Sequence, residues 1–148
     1  MPALDDKDLK IIDLLSANSR MSYIELARRL GISDVAVIKR IRKLEQQGVI
    51  RRYTIVVDPK KLGYNAVSMT GVDTEPESLF KVLSYLKDKE YVKYLALTSG
   101  DHQILAVIWA RNSEELAKIH DEIAKIEGVK RVCPALILDI IKEWSCTL

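Results

Sequence analysis

Residues 22–45 predict two short amphipathic helices joined by a tight turn. Each helix opens on a serine, Ser22 or Ser33, whose hydroxyl can accept from the free N–H groups at a helix start, and apolar residues recur at helical spacing behind it. Ser22 and Glu25 have the spacing of a capping box. Gly31 separates the helices, since glycine adopts the left-handed conformation that ends a helix without a Cβ penalty. This pattern is typical of a helix-turn-helix.

The second of these helices carries its cations opposite its apolar stripe. Residues 49–57 then alternate like a strand, so a basic pair lies where a winged helix would place its wing. A basic helix alone is usually only a solvated face, but here it coincides with the spacing, the caps and the basic pair, which together favour a phosphate-binding surface. Six cations against one anion, Glu45, lie between positions 39 and 52: Lys39, Arg40, Arg42, Lys43, Arg51 and Arg52.

Double-stranded DNA is therefore the expected partner. Phosphate contacts fix the register of a protein on a duplex, whereas contacts to base edges select the sequence. The residues expected to hold phosphates are Lys39, Arg40, Lys43, Arg51 and Arg52. Those expected to approach base edges are Ser33, Val35 and Ala36, with Lys39 and Lys43 as further candidates.

Charge is divided unevenly along the chain of 148 residues. The net charge of +2 is the balance of +5 over residues 1–65 and −3 over residues 66–148, so the N-terminal part is the one suited to polyanions. With 48% hydrophobic and 30% charged residues, the chain should fold. The longest apolar run, Ile104 to Ala110, is too short to cross a bilayer, and no signal peptide is recognised, so a cytoplasmic location without a membrane partner is expected.

Neither a metal site nor a cofactor is expected. Cys133 and Cys146 are too few and too far apart for a zinc site, and His102 and His120 have no metal-ligand spacing with them. Idle thiols are the simpler interpretation, and a disulfide between protomers through Cys146 stays open.

The fold class predicted is α+β, in two domains. Residues 1–58 form the winged helix-turn-helix, with a first helix capped by Asp5 or Asp6, and residues 59–65 form a hinge marked by Pro and Gly. Residues 66–148 form a ferredoxin-like βαββαβ domain.

Local signals in this second domain predict its turns and caps. Thr74 and Glu77 have capping-box spacing before the first helix, and Ser113 is placed to cap the second. Gly100 and Asp101 suit a two-residue type II′ hairpin. The last strand is expected from Val129 to Ile141.

A four-stranded sheet covered by helices on one face leaves the other face exposed. The strands carry more apolar side chains than one side of the sheet can bury, among them Leu95, Leu97, Leu105, Val107 and Trp109. Such an apolar surface predicts association, and a two-fold dimer would also present paired recognition helices to two DNA half-sites.

The whole chain resembles the feast/famine or leucine-responsive (Lrp/AsnC) family of prokaryotic transcription regulators. The segments that match in order are Leu4 to Asp8 with Ile11, Ile12 and Leu15, then Glu25 to Ser33, Arg40 to Glu45, Gly48 to Ile50, Tyr53, Asp58-Pro59 and Leu62-Gly63. The resemblance implies a sequence-specific regulator, activator or repressor, that dimerises and assembles further, as in an octamer. It is not expected to be an enzyme.

The resemblance also implies an effector, an amino acid or related small molecule, bound by the second domain. The implied binding residues are the loop Ser99, Gly100, Asp101, His102 and Gln103, and Pro134 of the last strand. Gln103 stands where an acid is common, and Val132-Cys133-Pro134 stands where relatives often carry threonines. Gly100 and Asp101 fit plain hairpin chemistry equally well.

Two alternatives follow from these departures. One is an architectural DNA-binding protein without an effector. The other is an enzyme on the same framework, similar to sirohaem decarboxylases, for which His102 and His120 would be the titrating groups.

Overall fold

The computed structural model describes residues 3–144, which fall into two compact units. The first contains the described residues up to Val56 together with 142–144, and the second is Val57–Ile141. Cys146, which the sequence offered as a link between protomers, lies outside the described residues. Within residues 3–144, no helix has both the length and the apolar character that a membrane span requires.

The first unit is a bundle of three helices, α1 (Asp6–Ala17), α2 (Tyr23–Leu30) and α3 (Asp34–Gln46). Gly31, with φ 63°, ends α2 in the left-handed conformation expected of it. The helices enclose one apolar core formed by Ile11, Leu26, Ala27, Val37, Ile41 and Leu44. The predicted helix-turn-helix is therefore present as α2 and α3.

The caps of these helices differ in one detail from the expectation. Asp5 is the N-cap of α1 and forms a full capping box with Asp8. Ser22 accepts from the N–H of Glu25 at 3.2 Å, but the Glu25 carboxylate binds Arg29 instead of returning to the cap. Only half of the box predicted at α2 is formed.

The strand predicted over residues 49–57 is wrong. This stretch contains no strand, because no described segment pairs with it, and an extended chain without a partner cannot form a ladder of backbone hydrogen bonds. The alternating pattern therefore does not become a wing within one protomer.

The second unit is a four-stranded antiparallel sheet in the order β2-β3-β1-β4. In chain order its elements are β1 (Ala66–Thr74), α4 (Leu79–Lys87), β2 (Val92–Leu97), β3 (Ile104–Ala110), α5 (Ser113–Ala124) and β4 (Val129–Leu136). Short 3-10 turns at Lys60–Leu62 and Pro76–Ser78 precede β1 and α4. This is the ferredoxin-like order, and apolar residues of α4 and α5 share one core with the sheet.

The two helix caps predicted for this unit are corrected by the structure. Thr74 ends β1 and caps nothing, since a 3-10 turn beginning at Pro76 delays the start of α4. Asn112, rather than Ser113, caps α5 by accepting from Glu115 N at 2.8 Å.

The hairpin between β2 and β3 is also longer than expected. Its closing hydrogen bond runs from Thr98 N to Gln103 O at 2.8 Å, and Gly100 lacks the positive φ that a type II′ turn requires. The last strand stops at Leu136, before Ile141, and one further backbone hydrogen bond, from Ile137 N to Val67 O at 2.8 Å, follows it.

Polar residues of β1 face the helices, contrary to the apolar-inward rule. Ser68 and Thr70 are fully buried, and their hydroxyls lie 2.8 Å apart. Thr70 Oγ1 lies 2.9 Å from Nε2 of His120 on α5, and burial lowers the pKa of His120. A hydrogen-bonded chain thus satisfies these polar groups, while Val67 and Met69 occupy the other face of the strand.

The open face of the sheet contains Leu105, Val107 and Trp109, whereas Leu95 and Leu97 lie on the face that the helices cover. Leu95 pairs opposite Ala106 and Leu97 opposite Ile104, on the side of the helices. A bulge between Val92 and Tyr94 shifts the register by one residue, and a shift by one moves every following side chain to the other face.

An ion pair ties α1 to α3 in the first unit. Nη1 of Arg40 lies 2.7 Å from Asp8 Oδ1 and 2.7 Å from Asp5 Oδ2. The side chain of Asp8 is only 2% exposed, so its charge needs this partner. The hydrogen bonds from Asp8 N and from Arg40 lower the pKa of Asp5.

Replacing Arg40 by Ala should destabilise the first unit by about 2 to 3 kcal/mol, because it leaves the Asp8 carboxylate buried without a cation. Urea unfolding of the full chain, followed by circular dichroism, measures the change. Lys43→Ala is the matched control on the same helix, expected within about 0.5 kcal/mol of the unaltered chain. Equal stability of the two variants would contradict the structural role of Arg40.

Candidate nucleic-acid interface and effector region

The exposed side of α3 is cationic over its length and apolar at its start. Lys39, Arg42 and Lys43 are exposed along the helix, and Arg51 and Arg52 are exposed after it. Within residues 3–144 none of these five takes part in an ion pair. Their charges are therefore available to an outside anion.

The residues predicted to approach base edges lie at the N-terminal end of α3. Ser33 is exposed and its Oγ accepts from Ala36 N at 3.1 Å, so it acts as the helix cap. Val35 is 69% exposed, and Ala36 is half-buried. The structure thus brings Ser33 and Val35 to the surface at the N-terminal end of the helix, with Ala36 beside them.

Arg40 is the exception among the cations of α3. Its guanidinium turns back to Asp5 and Asp8 of α1, and those hydrogen bonds raise its pKa. This placement opposes the phosphate contact predicted for it, since a phosphate would have to compete with two carboxylates. Asp5 was one of the two residues predicted to cap α1, but no local pattern indicated that Arg40 would bind it.

Tyr53 is a residue of this region to which the sequence argument gave no functional role. Its hydroxyl donates to Glu45 at 3.0 Å, which joins the segment after α3 to the end of that helix. Burial and the Glu45 carboxylate raise the pKa of Tyr53 to about 12. Glu45, the one anion among the cations at positions 39 to 52, therefore accepts a hydrogen bond from the neutral hydroxyl of Tyr53.

The loop between β2 and β3 brings together two of the predicted effector residues, His102 and Gln103. Gln103 Oε1 accepts from Thr74 N at 2.7 Å and from Thr74 Oγ1 at 3.2 Å. The amide oxygen is thus used in fixing the loop to the end of β1. Ser99, Gly100 and Asp101 are exposed in the same loop.

Asp73 is the centre of the polar contacts around this loop. Its carboxylate lies 3.1 Å from His102 Nδ1 and accepts from Arg131 Nε at 2.8 Å. Burial acts to raise the pKa of Asp73, but hydrogen bonds from Arg131, His102 and the N–H of Gln103 outweigh it and lower the pKa.

The ring of His102 lies over Gly71, where a Cβ would come within 2.2 Å of His102 Cδ2. Glycine at position 71 therefore makes room for the imidazole on the open face of the sheet. Pro134 is not part of this arrangement, because it pairs opposite Thr70, whose side chain faces the helices. Within the described chain, no group of His, Cys, Asp and Glu side chains is arranged to hold a metal ion.

Comparisons with known proteins agree with both units. A winged helix-turn-helix DNA-binding family model matches residues 4–51, and the Lrp/AsnC ligand binding domain model matches residues 67–145. The transcriptional regulator LrpA of Pyrococcus horikoshii is 52% identical over 140 residues, which covers 94% of this chain and 99% of that protein.

Two solved structures share the fold over nearly the whole length. E. coli AsnC has a TM-score of 0.89 at 24% identity, covering 99% of this chain and 100% of that chain. A transcriptional regulator from Neisseria meningitidis, in complex with L-Met, has a TM-score of 0.88 at 20% identity, covering 99% and 96%.

The relatives bear on function as well as fold. LrpA of P. horikoshii is named as a regulator of transcription, and the first unit of this chain carries the matching DNA-binding module. A decarboxylase-like enzyme is therefore set aside. The chain belongs to the Lrp/AsnC family of DNA-binding transcription regulators.

Proposed function

We propose that the chain recognises specific duplex sequences by placing α3 in the major groove. The observation that carries this proposal is the exposed row of cations that have no internal ion-pair partner on α3 and after it. Lys39, Lys43, Arg51 and Arg52 hold phosphates, and Arg42 joins them on the same surface. Ser33, Val35 and Ala36 approach base edges. Arg40 positions α3 against α1 and does not contact DNA.

DNA affinity should fall steeply with salt, because each phosphate contact contributes roughly −0.9 to the slope of log K against log salt. With about four contacts per protomer, a dimer should show a slope of several units. Lys39→Ala and Lys43→Ala should weaken binding to all sequences alike and make the slope shallower. Titration of labelled duplexes by fluorescence anisotropy at several salt concentrations gives these slopes.

Lys118→Ala serves as the control, since Lys118 is exposed on α5 and pairs with Glu114 at 2.8 Å. It should leave the affinity and the slope unchanged. A flat salt response of the unaltered protein, or equal effects of the Lys43 and Lys118 substitutions, would refute the proposed interface.

We further propose that the open face of the sheet pairs two protomers. Met69, Leu105, Val107 and Trp109 present apolar surface there, and α4 and α5 of the same unit pack on the opposite face. A two-fold dimer supplies two copies of α3, as a DNA site with two half-sites roughly 34 to 36 Å apart, or a multiple of that, requires. Dimers then assemble into a larger ring such as an octamer.

Val107→Asp should separate the protomers, since it would bury a carboxylate in an apolar interface. Sedimentation velocity should show a smaller species for this variant and a dimer or larger for the unaltered chain. Phe80→Asp is the matched control, because Phe80 is 74% exposed on α4, away from the open face. A monomeric unaltered protein, or a Val107→Asp variant that keeps its size, would contradict this pairing.

The second unit is proposed to bind an amino acid or a related small molecule near the loop of residues 99–103. The matching family model describes a ligand binding domain, and the regulator from N. meningitidis was solved with L-Met. Because the Gln103 oxygen is already bound to Thr74, the exposed carboxylate of Asp101 is the group in this loop best placed to accept from an ammonium group.

A bound effector should raise the thermal midpoint of the full chain by an amount that grows as RT ln(1 + [L]/Kd). Differential scanning fluorimetry across the amino acids, each at millimolar concentration, tests for it. Asp101→Asn should lose most of the shift, whereas Lys118→Ala should keep it. No shift with any amino acid would instead favour an architectural regulator that responds to DNA alone.

A further inference from the structure

The start of α3 carries an apolar side chain that the fold does not use. Val35 is 69% exposed in the first turn of the helix, next to a surface of unpaired cations. It is not among the residues that form or flank the core of the first unit. A β-branched side chain held in water by a helix is therefore available for contact with a partner.

The polar side chains of the same turn are tied to the backbone. Asp34 Oδ1 accepts from Val35 N at 2.8 Å, and Ser33 Oγ accepts from Ala36 N at 3.1 Å. Both act as caps of the helix. The first turn of α3 therefore offers a free isopropyl group, and it lacks the Arg, Asn and Gln side chains that form bidentate hydrogen bonds to purines.

The spacing of the helix sets what Val35 can reach. Val35, Lys39 and Arg42 follow at i, i+4 and i+7, so they share one face. At a rise of 1.5 Å per residue, Lys39 lies about 6 Å and Arg42 about 10 Å beyond Val35 along the axis. The long cations can extend to the backbone phosphates, while the short apolar side chain at the tip meets the floor of the groove.

Only one base presents an apolar group in the major groove of B-DNA, namely thymine, through its C5-methyl. We infer that Val35 reads this methyl group in each half-site, so the preferred DNA carries a thymine at the position that faces the first turn of α3. This inference rests on the proposed DNA-binding function and adds the chemical group that is read.

Deoxyuridine provides the test, since it differs from thymidine only by the missing methyl. A duplex is first selected from a random pool with the full-length protein, and each thymine is then replaced singly by deoxyuridine. At one position per half-site the unaltered protein should lose about fourfold in affinity, the factor expected for one buried methyl group. Val35→Ala, which removes the two methyl groups proposed to make this contact, should lose most of the discrimination.

Ile24→Ala is the matched control, because Ile24 is 74% exposed in the same unit but lies on α2. This variant should keep the fourfold discrimination. Specific binding without a methyl-sensitive position, or discrimination that survives in Val35→Ala or disappears in Ile24→Ala, would overturn the inference and leave the proposed function intact. Absence of any salt-dependent DNA binding would overturn both.

Discussion

The ion pair between Arg40 and Asp8 is the interaction on which the DNA-binding unit depends. A carboxylate as buried as that of Asp8 has lost most of its hydration, and a cation in direct contact replaces much of the stabilisation it had in water, beside the N–H of Asp5. Arg40 supplies that cation from α3 while Asp8 belongs to α1, so the pair fixes the position of the helix proposed to enter the groove. The capping box of Asp5 and Asp8 adds a second carboxylate to the same guanidinium.

This arrangement sorts the cations of α3 into two groups. One cation is used inside the protein, and Lys39, Arg42 and Lys43 remain free on the surface. The sign of the charge is the same in both groups, but the effect on DNA binding differs. An internal cation controls the orientation of the helix, whereas a free cation releases counterions when it meets a phosphate.

The second unit meets a different constraint, because a sheet with helices on one side has an apolar face to bury. Val107 and Trp109 lie on that face, and the imidazole of His102 covers Gly71 near its end. Asp73 anchors both His102 and Arg131 there, so the loop proposed to bind an effector is joined to the face proposed to pair protomers. Binding at the loop would thus act directly on residues beside the interface.

Periodicity in the sequence predicted the helices and the order of helices and strands along the chain, since these depend on neighbours in the chain. The direction in which the side chains of β1 point was not predictable, because the buried hydroxyls of Ser68 and Thr70 belong to a hydrogen-bonded chain that ends at His120, which is distant in sequence. The bulge at β2, which moves Leu95 to the helices, and the pairing of Arg40 with α1 likewise depend on tertiary packing. Residues 49–57 have the alternating pattern of a strand but no partner strand among the described residues.

We expect Arg40 to act within the protein and Lys43 to bind a phosphate. The most direct test is the salt dependence of DNA affinity for Arg40→Gln and Lys43→Gln. Both variants are measured on one duplex, at a temperature where both are folded. If Arg40 acts only within the protein, its variant will bind more weakly but keep the slope of log K against log salt. The Lys43 variant will show a slope shallower by about 0.9 for each phosphate that it no longer holds. An Arg40→Gln slope that falls as much as that of Lys43→Gln would contradict the account, since it would show that Arg40 meets a phosphate.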